Sequence, residues 1–235
     1  MIDTKRPRIV VIGAGFGGLW AVRRFVSRGL GVTLIDRNNC HTFFPLLYQV
    51  AAAELGPSEI AYPVRSLFRR HPLVEFRRAR VHSIDLDGHI VEAHGSHLAY
   101  DYLVIALGSV PNYFGVEGAA RHAFPLRTMD DAVPLCYHVL ECFERAAQTP
   151  DASARRALLR FVIVGGGATG VEYAGALAEL IYGPLLKDFG SIARDEVEIR
   201  LMEDGERLLA GMPPRLQDYA RVRLEQRGVQ VLTRS

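Results

Sequence analysis

The chain has 235 residues, 23% of them charged and 49% hydrophobic, with a formal net charge of +2. These values exclude a disordered, collagen-like or disulfide-scaffold chain. The 28 basic residues are scattered, so nothing marks nucleic acid as a partner. Three cysteines, Cys40, Cys136 and Cys142, are too few for a disulfide framework, and the odd count fits a reducing compartment. No stretch reaches the roughly 20 apolar residues of a membrane-spanning helix. Lys5, Arg6 and Arg8 precede an apolar run, but that run, Ile9–Ile12, stops at Gly13 and is too short for a secretory signal, so export is not expected.

In chain order, Ile9–Ile12 is apolar without alternation, as a strand buried on both faces of a parallel sheet requires. Phe16–Ser27 carries Leu19, Val22, Phe25 and Val26 at helical spacing and ends at Gly29 and Gly31. Val32–Ile35 is a second strand, with Asp36 at its carboxyl end. Residues 40–70 are less regular: Phe43–Val50 is apolar around Pro45, and Ile60–Phe68 reads as a short helix with Pro63 near its start. Val74–Arg77, Val81–Leu86 and His89–Ala93 read as short strands, with a hairpin signal at Asp87-Gly88. Tyr102–Leu107 returns from this β-meander to the central sheet. Residues 130–147 form a helix, and the polar turn Gln148–Ala154, with Pro150, is the best domain boundary, dividing the chain into 1–150 and 151–235. The second half repeats the first. Arg160–Val164 leads into a glycine fingerprint, Ala168–Ile181 is its helix, Tyr182–Arg194 an insertion, and Val197–Met202 a strand ending at Glu203. Arg215–Gln226 is a helix ended by Gly228, and Val229–Leu232 is a third strand. The fold class is therefore α/β: two Rossmann-like dinucleotide-binding units, the first with a β-meander and the second incomplete.

The repeat carries the chemistry. Gly13, Gly15 and Gly18 in the first copy, and Gly165, Gly167 and Gly170 in the second, spell G-x-G-x-x-G between a strand and a helix. Such glycines make a tight turn, admit a pyrophosphate close to the backbone and let helix pack on strand. A β-carbon at Gly15 would stand where the phosphate must sit. The helix start offers free N–H groups and about half a positive charge. Asp36 lies at the usual distance for a carboxylate that accepts hydrogen bonds from a ribose diol; a purely structural glycine turn is the alternative. Glu203 occupies the equivalent place, displaced by the insertion. It would favour NADH over NADPH by repelling a 2′-phosphate, with Arg207 close enough to soften the preference. Glu172, two residues after Gly170, is explained equally well as an acid at a positive helix end or as a contact for the nicotinamide. No closely spaced cysteine pair supports disulfide chemistry. Cys136 and Cys142 are expected to be small core residues, and His41 and His138 packing or capping residues rather than metal ligands.

Val10–Leu19 and the stretch Asp36–Ala51, with Phe43-Phe-Pro-Leu-Leu-Tyr-Gln-Val-Ala51, resemble the N-terminal half of type II, non-proton-pumping NADH:quinone dehydrogenases. Asp101–Gly108 and Val164–Ala178 are similar to the flavin-closing strand and NADH motif of two-dinucleotide-binding flavoproteins. The resemblance implies FAD on the first unit, with Gly13, Gly15, Gly17 and Gly18 at the pyrophosphate, Asp36 at the adenosine ribose and Val81 at the adenine. Pro45 and Gly108 would lie near the flavin. It implies NADH on the second unit, held by Gly165, Gly167, Gly170 and Glu203, with Glu172 beside the nicotinamide. Phe16, Arg37, Ala168 and Thr169 join the cofactor-binding set. Hydride would pass from NADH to FAD, and electrons onward to a quinone. Cys40 stands where the family has another His. Family members are nearly twice as long, so this chain is expected to be an N-terminal part whose quinone site and membrane-docking segment lie elsewhere. Full-length members are cytoplasmic and peripheral at the inner face of the plasma membrane, and a homodimer is compatible with the family.

Overall fold

The structure, a computed structural model, describes residues 7–235; Lys5 and Arg6 of the basic N-terminal stretch lie outside the described residues. Two compact units are present. The first comprises the described residues of Met1–Phe43 with Ala61–Asn112; the second comprises Phe44–Ile60 with Tyr113–Ser235.

In the first unit, strands β1 (Ile9–Ile12), β2 (Val32–Asp36), β3 (Cys40–Thr42), β4 (Ala61–Pro63), β5 (Val74–Arg78), β6 (Val81–Asp85), β7 (Ile90–Ala93), β8 (Ser96–Ala99) and β9 (Tyr102–Ile105) follow one another. Four of them form a parallel sheet in the order β5-β2-β1-β9, with Ile9 opposite Val32 on one side and Tyr102 on the other. The continuous apolar run of β1 has a direct cause. Ile9 and Val11 pack with Leu19 and Val22 of the helix Phe16–Val26, and with Leu34 and Val64. Val10 and Ile12 pack with Ile35, Val91 and Tyr100 on the meander side. The helix ends where Gly29 turns left-handed (φ +75°) and Leu30 N–H donates back to the Phe25 carbonyl, a Schellman closure. The meander β6-β7-β8 is antiparallel. Its first turn is closed by Asp85 Oδ1, which accepts from the N–H groups of Asp87 (3.1 Å) and Gly88 (2.8 Å). Asp101 then fixes the entry to β9: its carboxylate accepts from the Arg8 N–H at 2.7 Å and the Arg8 guanidinium at 2.8 Å.

One local expectation gives way here, and one further strand appears. Ile60–Phe68 is not one helix. A helical turn Pro57–Ile60 ends, β4 pairs with β3, and a helix restarts at Val64–Phe68. Pro63 biases Tyr62 toward extended backbone, and β3 supplies an antiparallel partner. The strand β8 is not among the expected strands, and His94 and Gly95 lead into it. Both of those residues adopt positive φ (+49° and +74°) and join β7 to β8 as a two-residue hairpin.

In the second unit, β10 (Arg160–Val164), β11 (Glu198–Glu203) and β12 (Val229–Thr233) form a parallel sheet in that order. Helices Met129–Ala147, Ala152–Leu158, Ala168–Leu180 and Pro214–Gln226 accompany it. The polar turn at 148–154 is shorter than expected, because Asp151 caps Ala152–Leu158 by accepting the Ala154 N–H at 2.7 Å. The insertion begins as a π-turn, Ile181–Leu185, around Pro184. Compactness does not follow a break at residue 150. Leu47, Val50 and Ala51 share one core with Val139, Phe143, Leu177 and Ile199, so burial groups residues 44–60 and 113–150 with the second unit.

Candidate functional site

The first glycine loop leaves β1 at Gly13, whose N–H donates to the Ile35 carbonyl at 2.7 Å and whose φ is +103°. A β-carbon there would lie 2.2 Å from the Ala106 carbonyl oxygen. One at Gly18 would lie 1.7 Å from the Gly13 carbonyl oxygen, so Gly18 is what allows the helix to sit against the strand end. Gly15 differs from both. It caps the helix Phe16–Val26, and a β-carbon on it meets nothing within 4 Å. Beside it, the first N–H groups of the helix have no carbonyl one turn earlier to bond and form the positive end of the dipole. Gly17 has the Ala106 side chain 3.8 Å from a notional β-carbon.

The second loop repeats this arrangement. The Gly165 N–H donates to the Met202 carbonyl at 2.8 Å, with φ +105°. A β-carbon at Gly170 would lie 1.9 Å from the Gly165 carbonyl oxygen, while Gly167 again faces open space. Ala168 and Thr169 are exposed on the first turn of the helix Ala168–Leu180. Each loop is thus a cradle with one open face, edged by uncommitted donors and built on a strand-to-helix corner.

The acids at the strand ends do more than spacing indicates. Asp36 Oδ2 accepts the Ala14 N–H at 2.6 Å, and Oδ1 the Asn38 N–H at 2.7 Å. Glu203 Oε2 accepts the Gly166 N–H at 2.5 Å, and Oε1 the Gly205 N–H at 2.8 Å. The N–H groups of Gly205 and Gly166 hold the Glu203 carboxyl below the usual carboxylate range. A carboxylate has about four acceptor sites, so each acid braces its own loop and still has lone pairs for a ligand. Arg207, expected to soften the charge of Glu203, is paired with Asp218 at 3.0 Å.

The other candidates are dispersed. Arg37 is exposed, and its carbonyl accepts from Arg78 Nε at 3.3 Å. Val81 opens β6 at a bulge. Gly108 is exposed, with φ +74°. Pro45 is exposed in the turn Phe44–Leu46 of the second unit. Glu172 stands on the helix Ala168–Leu180, where partial burial among its neighbours pushes its carboxyl above the usual range. The Tyr48 phenol is raised first by burial and then by the charge of Glu172, which places the two side chains within electrostatic reach.

Gln217 and Leu208 support the second loop without a signal in the sequence, and His41, expected as a packing or capping residue, holds a carbonyl of the first. His41 is buried with Nδ1 2.9 Å from the Ala14 carbonyl oxygen, and its ring meets Phe16 edge-on at 5.0 Å. Gln217 is buried, and its amide donates to the carbonyl oxygens of Met212 (2.8 Å), Leu209 (3.3 Å) and Ala210 (3.4 Å). It thereby fixes the loop whose Leu209 N–H donates to the Gly166 carbonyl at 2.8 Å. Leu208 in that loop is buried against Gly166.

The geometry has counterparts among known proteins. The model of the pyridine nucleotide-disulphide oxidoreductase family matches residues 7–235. The type II NADH:quinone oxidoreductase Ndh of Mycobacterium tuberculosis is 36% identical over 97% of this chain and 50% of its own length. The same organism's NdhA is 37% identical over 96% of this chain and 49% of its own. This chain therefore spans about half the length of those curated relatives. The structure of NDH2 from Plasmodium falciparum in complex with NADH superposes with a TM-score of 0.89 at 24% identity, covering 97% of this chain and 48% of that one, a likeness of fold. Among the described residues, no helix is long and apolar enough to cross a membrane. With two serial glycine cradles and a family match running from residue 7 to residue 235, the chain belongs to the pyridine nucleotide-disulphide oxidoreductase family.

Proposed function

We propose that this chain carries the nucleotide-binding part of an FAD-dependent NADH:quinone reductase, with FAD on residues 1–150 and NADH on residues 151–235. The observation that carries the reading is the open face at Gly15 and at Gly167, where a β-carbon meets nothing within 4 Å and the backbone is not left-handed, against Gly18 and Gly170 three residues on, where it would be pressed on a carbonyl oxygen. In each loop the residue at the helix start leaves the space a phosphate needs. FAD held there would supply the hydride-accepting and electron-releasing chemistry. The chain's own residues bind and orient. The helix starts at Phe16 and Ala168 donate N–H groups to the pyrophosphates, with Gly13, Gly17, Gly18, Gly165, Thr169 and Gly170 shaping the loops. Asp36 uses its spare lone pairs on the FAD ribose, with Arg37 beside it. Val81 offers its backbone to the adenine, and Pro45 and Gly108 are each assigned near the flavin. Glu203 accepts from the NADH ribose and repels a 2′-phosphate. Arg207, exposed and paired with Asp218, moderates that preference. Glu172 contacts the nicotinamide.

The acceptor we propose is a quinone, the location the inner face of the plasma membrane, held peripherally, and the assembly a homodimer. A sulfide:quinone reading has less support, because such chemistry needs cysteines at the flavin, and Cys40 is the sole cysteine in the first unit. The test is direct. Purified chain incubated with FAD and desalted should keep a flavin spectrum that NADH bleaches without oxygen. Loss of the flavin on desalting would refute the FAD assignment, and retained flavin that NADH leaves oxidised would mark a nucleotide-binding chain without turnover.

A further inference from the structure

The two cradles permit an internal comparison. In each, the residue after the first glycine is held by both of its backbone polar atoms. Gly166 donates its N–H to Glu203 at 2.5 Å, and its carbonyl accepts the Leu209 N–H at 2.8 Å. Ala14 donates its N–H to Asp36 at 2.6 Å, and its carbonyl faces His41 Nδ1 at 2.9 Å. A carbonyl oxygen only accepts, so Nδ1 carries the proton. A side chain thus does in the first cradle what a main-chain N–H does in the second. The placement is enforced from several directions. His41 is 8% exposed and Ala14 2%, His41 pairs with Tyr62 across β3 and β4, and its ring is stopped by Phe16, the first residue of the cradle helix.

We infer that His41 is a positioning residue for the flavin cradle: by holding the Ala14 carbonyl it sets the peptide plane that leads into Gly15 and the helix start. It touches the loop, not the ligand. The inference rests on the reading of the first unit as the FAD site.

The test measures FAD affinity by calorimetry for the parent chain, His41→Leu and His41→Asn, with NADH affinity and melting temperature alongside. Leu keeps apolar bulk and removes the donor. Asn carries an amide N–H on Cγ, the same carbon that bears Nδ1 in His. His41→Leu should weaken FAD about tenfold, the factor that corresponds to one net hydrogen bond of about 1.4 kcal/mol. His41→Asn should recover most of that loss, and NADH affinity at the second cradle should stay unchanged. Equal FAD affinity in His41→Leu and the parent overturns the inference. So does an equal loss in both variants that follows the melting temperature, which would make His41 a packing residue. A parent chain that takes up no FAD sinks the reading of the first unit itself, and the inference with it.

Discussion

Gly15 and Gly18 are three residues apart in one motif, yet the structure assigns them opposite penalties. In Gly18→Ala the new methyl would sit 1.7 Å from the Gly13 carbonyl oxygen and 2.9 Å from its carbon. Relief requires the helix Phe16–Val26 to move off β1 by about 1.5 Å, and overpacking of that kind costs about 1–3 kcal/mol or more. In Gly15→Ala nothing lies within 4 Å, and the backbone (φ −73°, ψ −171°) suits an L-residue. The unfolded chain loses freedom, so the ligand-free protein should gain roughly 0.4–1 kcal/mol. The same methyl stands where the FAD phosphate must approach, and losing one charge-assisted contact of about 1.5–3 kcal/mol lowers affinity by ~10–100-fold. Differential scanning fluorimetry of the ligand-free proteins and FAD titration separate the two effects. Gly18→Ala should melt several degrees lower, at about 2–4 °C per kcal/mol, while Gly15→Ala melts no lower than the parent and binds FAD poorly. The reasoning fails if Gly15→Ala melts as low as Gly18→Ala, or if it binds FAD as the parent does.

Gly167→Ala and Gly170→Ala should reproduce the same split on NADH, read by the same two assays, because the distances repeat in the second loop. Glu203→Gln removes the charge that meets a 2′-phosphate, so the ratio of kcat/KM for NADH over NADPH should narrow; an unchanged ratio would dismiss Glu203 as the selector. The Glu203 carboxyl is depressed by backbone N–H groups, so its stabilising effect is complete above the ordinary carboxylate pKa and disappears as pH falls through the lower folded value. Asp101, held at about 2 by Arg8, follows the same sign: Asp101→Asn should melt below the parent at pH 7, and the gap should close on titration from about pH 4 towards pH 2. Gln217→Leu leaves three loop carbonyls without their amide donor and should cost about 1–3 kcal/mol in urea unfolding, with a raised KM for NADH; a wild-type midpoint would remove Gln217 from the support of that loop.

The parallel strands and the glycine corners were legible because burial on both faces of β1 writes itself as an unbroken apolar run, and because a helix dictates where Gly29 must follow it. The strands β4 and β8 were not, since each forms by pairing with a neighbour rather than from its own pattern. The acids show where legibility stops. Asp36 is 22 positions from Ala14 and Glu203 is 37 from Gly166, yet each carboxylate grips the residue after the first glycine. Spacing cannot explain that agreement. Strand register does: the Gly13 N–H bonds the Ile35 carbonyl and the Gly165 N–H bonds the Met202 carbonyl, which brings the next residue of each strand beside the next residue of each loop. An insertion such as Tyr182–Arg194 lengthens the path between the two without moving either end. The contact survives because adjacent parallel strands, not chain distance, hold the partners together. His41 and Gln217 reach their carbonyls by the same tertiary logic, from elements whose own sequences say nothing about the loops they hold.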